Sequence, residues 1–565
     1  MAFVTNEIQQ MSFNDSLNGL TERERRMLEK SWAEGFSKRV FPAINEGRFS
    51  VLYSDNPASR PNTPVNVIYG ALLLKEMYGL TDEEIMEQVT FNIQYQYALH
   101  TTSFEEQPLS DRSLSRFREK VYEYAEAHDG RDLIHEETCA LAEAYARNMK
   151  VSRGMIRMDS MMVSSSCRRL ARLSIMYATL RGMGEMVRRA GDELPEGLRQ
   201  YVKSNESEDI GYRLKGEEVR TKMDEVIRDA VRMAEYCTSG YSDTDQYRKL
   251  IRMIEDQSKM VCGERVAKDG REILPTSMQN PSDEDATYRK KGGVGHVGYS
   301  LNLEETCSGT GNLVMDYDYQ TNRHTDVEFA HDTLEKLGDG NGANVIITDG
   351  AFGSAENLEL AEKKGVKLAA TTLVGGTEDN FEAQFEIDDE MDAITRCPAG
   401  HVPLDCKYNA KKETYRAHFD KETCKNCPHC DRCPGIFQKK TALVRFTKTA
   451  RVRAQYFDKM ATAEYKQFAR LRNGVEGVPS VLRRRYGIDR IPVRGLVRSR
   501  IWIGFKIGAL NTVRLLKAAS GALFVPPYYD DAAGAAIIFG LLWFAVRFIR
   551  ACRSLSFSKH AVLTP

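Results

Sequence analysis

The chain has 565 residues, of which 79 are Lys or Arg and 80 are Asp or Glu, so its formal net charge is −1. This length is too great for one simple hydrophobic core and predicts about two to four structural units. Because the charges nearly balance, the total charge gives no argument for nucleic-acid binding, and any such argument must come from local patches.

Residues 1–150 have the pattern of a helical domain. Apolar residues recur at helical spacing from Pro64 to about Glu126. The last helix of this stretch carries Arg112, Arg116 and Arg118, and a short helix with arginines near its start can enter a DNA groove. A solvated charged face is the other interpretation of these arginines.

A strand pattern begins at Gly154 in the run GMIRMDSMMVSSS, with Asp159 near its middle. After a charged helical insertion at about 168–280, the chain alternates strand, strand, helix, strand, helix and strand up to Val374. This order predicts an α/β fold with a mixed sheet and helices packed against it. Asp349 ends the apolar run NVIITD, and ligands in such sheets bind at strand ends.

The carboxylates Asp159 and Asp349 fit two-metal phosphoryl transfer, which needs several acids to converge on one point. Magnesium prefers such hard oxygen ligands. Asp316 and Asp318 compete for the same role, because alternate residues of a strand lie on one sheet face.

A third acid, Glu476, is expected on a later helix, with Arg472 one turn before it. Three arginines follow, Arg483, Arg484 and Arg485, in a strongly basic segment. An acid beside arginines on one helix face suits a substrate phosphate, although an ordinary salt-bridged helix has the same spacing.

Six cysteines lie between positions 397 and 433, which predicts a small Cys-rich metal-binding insertion at about 395–436. Four of them are separated by two residues each and can form a tetrahedral zinc site: Cys424, Cys427, Cys430 and Cys433. Cys397 or Cys406 could replace one of these ligands. An iron–sulfur cluster remains an alternative, and the further candidate ligands are His401, His418 and His429.

The N-terminal residues lack the basic start and apolar core of a signal peptide, which predicts the cytoplasm. Thiols clustered in that reducing compartment more often bind metal than form disulfides. The apolar tail, 521–565, includes the uncharged run Ala532–Val546, which is shorter than the roughly 20 residues of a membrane span. We therefore expect a buried terminal helix and no membrane partner.

These motifs together resemble the bacterial insertion-sequence transposases of the DDE type, which have an InsH-like helical N-terminal domain and an RNase H-like catalytic core. The resemblance runs from about Pro42 to Lys517. It rests on an N-terminal block that ends in LSDRSLSRFREKV and on the segments RMDSMMVSS, TDGAFGSAENLELAEKKGV and RNGVEGVPSVLRRRYG. The family's basic residue after the third acid is often Lys and is Arg483 here. Its Tyr before the arginine has no clear equivalent, since position 469 is Ala and position 468 is Phe.

The resemblance implies that Asp159, Asp349 and Glu476 bind Mg²⁺ or Mn²⁺ in a catalytic domain formed by residues 151–376 and 440–520. The implied reaction nicks transposon ends and joins the freed 3′-hydroxyl to target DNA. The implied partners are the terminal inverted repeats, target DNA and a second copy of the chain, near the bacterial nucleoid. A DNA-binding relative that has lost catalysis, or a nuclease that cuts without joining, are the alternatives.

Overall fold

The computed structural model describes residues 1–6, 14–56, 58–103, 109–110, 112–203, 214–337, 343–372, 380–388 and 391–520. The expected terminal helix at Ala532–Val546 lies outside the described residues. Within the described ranges, no helix is both long and apolar enough to cross a membrane.

Helices make up most of the N-terminal part, as the sequence predicts. They are α1 Glu22–Glu29, α2 Trp32–Gly35, α3 Val65–Tyr78, α4 Asp82–Phe91, α5 Ile93–Ala98, α6 Ser113–Ala127 and α7 Leu133–Met149. Helix α3 is buried along its whole length and ends at Gly79, whose φ of 67° is the left-handed conformation common at helix ends. Thr81 then caps α4, and Glu84 completes the capping box.

Strand β1, Met155–Ser164, is followed by the helical insertion, which has a hydrophobic core of its own. The insertion contains α8 Arg172–Arg189, α9 Gln200–Lys203, α10 Glu217–Tyr241 and α11 Asp245–Gln257. A two-stranded ribbon that the sequence pattern did not predict follows, with β2 Ser258–Val261 and β3 Glu264–Ala267.

The central sheet is mixed. Its further strands are β4 Thr287–Lys291, β5 Val294–Thr306, β6 Val314–Thr321, β7 Val345–Thr348 and β8 Lys367–Ala370, with α12 Asp326–Lys336 and α13 Ala355–Lys363 between them. The strands lie in the order β6, β5, β1, β7, β8, and β4 pairs with the start of β5. Strands β5 and β6 are antiparallel to their neighbours, whereas β7 and β8 run parallel to β1. The predicted alternation of strands and helices is therefore observed, and β4 is an addition to it.

The Cys-rich region forms a four-stranded antiparallel sheet and a two-stranded one. Its elements are β9 Glu386–Asp388, β10 Ala393–Arg396, β11 Asp405–Asn409, β12 Thr414–Asp420, α14 Lys421–Lys425, β13 Gly435–Phe437 and β14 Thr441–Thr447. An aromatic core that includes Phe385, Tyr415 and Phe446 supports this small unit.

The chain returns to the central sheet in four helices, α15 Lys448–Met460, α16 Ala463–Asn473, α17 Gly477–Arg484 and α18 Leu496–Ser520. Helix α18 packs against α3, α7 and β6, so residues on both sides of position 150 share one hydrophobic core. Gly504 and Gly508 face this contact, and a methyl group at either position would come within 3 Å of side chains on α7, β6 or α3. The two glycines thus allow α18 to approach its neighbours closely.

Candidate active site

Two of the three predicted acids lie side by side on neighbouring parallel strands. Asp159 is the fifth residue of β1, and Asp349 directly follows β7. The parallel pairing aligns Arg157 with Ile347, and each acid lies two residues beyond that pair. The register of two strands therefore brings together carboxylates that are 190 positions apart in the numbering.

The third acid, Glu476, lies on a tight helical turn between α16 and α17. The turn is a short 3₁₀ helix, Gly474–Glu476, and the backbone stays right-handed from Asn473 to Gly477. The predicted helix is therefore present, with a tighter turn at the acid. Helix α16 packs against β7 and β1, which carries the turn to the part of the sheet that holds the other two acids.

Arg472 contacts all three carboxylates. Its guanidinium lies 3.0 Å from Glu476 Oε1, 3.7 Å from Asp349 Oδ2 and 3.9 Å from Asp159 Oδ1. The acids therefore converge on one positive group. Asp159 is the most enclosed of the three, with a side chain 16% exposed, whereas Glu476 is 63% exposed.

The pKa of Asp159 is raised to about 6. Burial is the main cause, the nearby Asp349 carboxylate adds to it, and the attraction of Arg472 and Lys291 opposes it. The negative charge of such an enclosed carboxylate is unfavourable, so a nearby cation stabilises the ionised form. These donors are hard oxygens converging on one point, so they fit a divalent metal ion of the Mg²⁺ or Mn²⁺ type.

The competing acids, Asp316 and Asp318, lie on the other face of the sheet. Asp159 pairs with Leu303 of β5, whereas Asp316 pairs with the next residue, Glu304. Because successive residues of a strand point to opposite faces, Asp316 and Asp318 share a face that Asp159 does not. The register excludes both residues from a metal site with Asp159.

Asp316 and Asp318 belong instead to two other polar groups. One group is formed by His135, Cys139 and Asp316, and the other by Asp318, His324 and Asp332. Within the described part of the chain, the ligand atoms of each group lie within 4.8 Å of one another. Each group contains one histidine–aspartate ion pair. His135 Nε2 lies 2.6 Å from Asp316 and His324 Nε2 lies 2.9 Å from Asp332. Burial opposes the charge of His135, but the hydrogen bond and the attraction of Asp316 outweigh burial and raise the pKa of His135.

The predicted DNA-binding arginines of α6 differ in their surroundings. Arg112 and Arg116 are exposed at the start of the helix. Arg118 forms an ion pair with Asp82 and lies 4.9 Å from the centre of the Trp502 ring, with a side chain only 14% exposed. The guanidinium of Arg118 therefore holds α6 to α4 and α18.

The arginines after Glu476 also divide into anchoring and exposed groups. Arg483 donates to the carbonyl of Met162 on β1 at 2.8 Å and pairs with Asp489. Arg484 is exposed and bonds Ser480, whereas Arg485 is half-buried and donates to a carbonyl of α3. Arg483 thus ties α17 to the strand that carries Asp159.

A groove of about 610 Å³ joins the two sets of arginines. Its lining includes five cationic side chains, Lys75, Arg118, Arg485, Arg490 and Lys506. Only two carboxylates, Glu76 and Asp82, lie among the lining residues. The groove therefore carries a positive excess at the junction of the N-terminal helices with α17 and α18.

Five of the predicted thiols line one small cavity of about 30 Å³, together with His401 and His429. They are Cys397, Cys424, Cys427, Cys430 and Cys433. Cys406 does not line it, and its Sγ accepts a hydrogen bond from the amide of Ile394 at 3.2 Å. His418 bonds Thr441 instead. Burial raises the pKa of Cys424 to about 11, and the neighbouring thiols add to the shift. In the described chain, no three of these sulfurs come within 4.8 Å of one another.

Sequence reasoning missed two charged residues near the acids. Lys291, on the unpredicted strand β4, lowers the pKa of Asp159, and no sequence pattern pointed to it. Arg157 lies two residues before Asp159, and the alternation of strand faces would have placed both on one face.

Comparisons with known proteins support one class of protein. The family model described as "Transposase domain (DUF772)" matches residues 29–120, and the one described as "Transposase DDE domain" matches residues 396–516. Both matches support a transposase. In agreement with the sequence resemblance, they support an insertion-sequence DDE transposase.

The two matches cover the N-terminal helices and the region from the thiols to α18, which includes Glu476. Asp159 and Asp349 lie outside the two matched ranges. Members of this family usually use divalent metal ions, and the family implies DNA as the partner. Neither the curated proteins nor the solved structures gave a match.

Proposed function

We propose that this chain cuts DNA at the ends of its own element and joins the freed 3′-hydroxyl to target DNA, with Asp159, Asp349 and Glu476 as the catalytic acids. The observation that carries the proposal is the convergence of these carboxylates, from three separate elements, on Arg472. The strand order, with three antiparallel strands beside two parallel ones, supports an RNase H-like core.

Asp159, Asp349 and Glu476 would hold Mg²⁺ or Mn²⁺. Bound divalent ions activate an attacking water or hydroxyl and stabilise the leaving oxygen. Arg472 keeps the acids together through its positive charge and lies where a substrate phosphate would approach them. A guanidinium there can donate two hydrogen bonds to phosphate oxygens and orient the scissile bond.

The function proposed for each segment of the chain is the one predicted from the sequence. Residues 1–150 bind DNA, residues 151–376 and 440–520 form the catalytic domain, and residues 395–436 form a zinc-binding insertion. Both ends of an element must be brought together before joining, so a homodimer is the proposed active form.

DNA binding is assigned to exposed arginines and to the positive groove. Arg112, Arg116 and Arg484 are exposed, and the groove with Arg485 and Arg490 lies where α6 meets the chain that follows Glu476. Arg118 and Arg483 act differently, because each forms an ion pair within the protein, with Asp82 and Asp489 respectively. They shape the DNA-binding surface by fixing α6 and α17.

Replacement of Arg116 by Ala should weaken DNA binding for all sequences alike. Each arginine–phosphate contact releases counterions, so the slope of log K against log salt should become shallower by about 0.9. A filter-binding or anisotropy titration over several salt concentrations measures this slope. Arg189, exposed in the helical insertion, supplies the control, since Arg189→Ala should keep the parental slope. An unchanged slope for Arg116→Ala would exclude the phosphate contact.

Zinc in the thiol cavity is proposed as a structural element that folds the Cys-rich region. Four thiolates complete a tetrahedral zinc site, and five of the six thiols line this cavity. We expect Cys424→Ser combined with Cys427→Ser to lose about one zinc ion per chain, because only three of the five lining thiols then remain. Cys406→Ser should retain the zinc, since its Sγ faces the Ile394 amide. Elemental analysis of both purified variants measures the metal, and iron in place of zinc would favour a cluster instead.

A strand-transfer assay separates the proposal from its alternatives. A labelled end fragment and a target plasmid are incubated with the full chain and Mg²⁺ or Mn²⁺. Joined product supports a transposase, cut product alone indicates a nuclease of the same fold, and binding alone indicates a catalytically silent relative.

A further inference from the structure

Arg157 is a buried arginine whose guanidinium nitrogens are all engaged. It lies on β1 two residues before Asp159 and is 6% exposed. Its Nε and Nη2 contact Glu305 Oε2 at 2.7 and 2.6 Å, and Nη1 donates to the carbonyl of Leu471 at 2.6 Å. Glu305 is fully enclosed, so its negative charge balances Arg157 inside the core.

The bond to Leu471 fixes the end of α16. This helix ends at Asn473, and the last carbonyls of a helix lack partners within the helix itself. A positive group at a helix C-terminus is also favoured by the helix dipole. Because Leu471 directly precedes Arg472, Arg157 ties the segment that holds Arg472 to the strand that holds Asp159.

Gly474 provides the space for this contact. A Cβ atom at position 474 would lie 2.2 Å from Arg157 Nη1 and 3.1 Å from its Cζ. The φ of Gly474 is −65°, which any residue can adopt, so the requirement for glycine is spatial. Arg157 therefore packs on bare backbone two residues before Glu476.

We propose that Arg157 is a positioning residue, which sets the distance between the Asp159 strand and the turn that carries Arg472 and Glu476. Glu305 is its counter-ion, and Gly474 leaves room for the guanidinium. A second arginine, Arg514 of α18, lies 2.8 Å from Glu305 Oε1 and extends the network to the shared core. The catalytic purpose of this geometry rests on the proposed function, in which Asp159, Asp349 and Glu476 are the catalytic acids.

The test compares two alanine substitutions on the same turn in the full chain. Gly474→Ala pushes the Arg157 guanidinium away, whereas Gly477→Ala is a matched control, because a Cβ at 477 meets nothing within 4 Å and its φ is also −65°. We expect Gly474→Ala to lower the rate of end cleavage at saturating DNA between about ten- and a hundredfold, as small misplacements of catalytic groups do. The DNA concentration giving half-maximal rate should change less than about threefold, and Gly477→Ala should match the parent.

A double-mutant cycle then shows whether Gly474 acts through Arg157. In an Arg157→Met background, Gly474→Ala should lower the rate of end cleavage by less than about twofold, because the guanidinium that it displaces is absent. Independent, multiplying effects would overturn the inference, as would equal effects of the two alanines. Because Gly474→Ala removes no charge from the core, the comparison of Gly474→Ala with Gly477→Ala tests the positioning role even where Arg157→Met folds poorly.

Hydrogen exchange without DNA separates this inference from the proposed function. Amides of residues 471–477 should exchange faster in Gly474→Ala than in Gly477→Ala, whether or not the protein cleaves DNA. Equal exchange in the two variants would overturn the positioning role. A parent protein that neither cuts nor joins DNA, yet shows this difference, would instead overturn the proposed function alone.

Discussion

Asp349→Asn is expected to abolish cutting and joining of element ends while DNA binding persists. The substitution keeps the side-chain shape but removes one charged ligand from the three that converge on Arg472. Loss of several kcal/mol of transition-state stabilisation from the metal site corresponds to a rate decrease of at least about a thousandfold. The strand-transfer assay measures the rate, and a gel-shift titration with the same end fragment measures binding.

Asp318→Asn is the matched control for this experiment. It makes the same chemical change on another strand of the sheet, β6, and on the opposite face. The variant should cut and join within about threefold of the parent, since it removes no ligand of the proposed metal site. Parental activity of Asp349→Asn, or an inactive Asp318→Asn that still binds DNA, would refute the assignment of the acids.

Asp159→Asn is expected to stabilise the protein when divalent metal is absent. The folded pKa of Asp159 is about 6, against an ordinary value of 3.8, so the folded state binds its proton more tightly than the unfolded state. Stability from this group therefore falls as the pH rises from about 4 to about 6 and stays low above that. At pH 7 the neutral Asn should raise the free energy of unfolding by up to about 3 kcal/mol.

Urea unfolding with EDTA at pH 4.5 and at pH 7 tests this expectation. At pH 4.5 the difference between the parent and the variant should fall to about 1 kcal/mol, because Asp159 of the folded protein is then mostly protonated. Added Mn²⁺ should stabilise the parent at pH 7 but have much less effect on the variant. If the variant were less stable than the parent at pH 7 without metal, the interactions of ionised Asp159 would stabilise the fold by more than its burial destabilises it.

Local patterns were enough to predict where Asp159 and Asp349 lie in their elements. An apolar run that ends on an acid marks a strand end, and the alternation of strands and helices fixed the fold class. The register could not be predicted, because it depends on which residues of β1 and β5 pair. That register is what separates Asp159 from Asp316 and Asp318.

The roles of the arginines were equally hidden, because sequence spacing does not reveal the partner of a side chain. Arg116 and Arg118 lie two residues apart, yet only Arg118 meets Asp82 and Trp502. For the cysteines, equal spacing pointed to four of the five thiols that line the cavity. That Cys397 also lines the cavity, whereas Cys406 accepts from the Ile394 amide, depends on how β10 and β11 fold.

Helix α18 has a consequence for shortened copies of the gene. The N-terminal helices complete their core against this late helix, through the close contacts at Gly504 and Gly508. A product that stops before residue 496 would leave α3 and α7 with a large apolar surface open to water, which favours aggregation or degradation. Truncated copies of the element should therefore not yield a stable N-terminal fragment that competes with the full-length protein for its DNA sites.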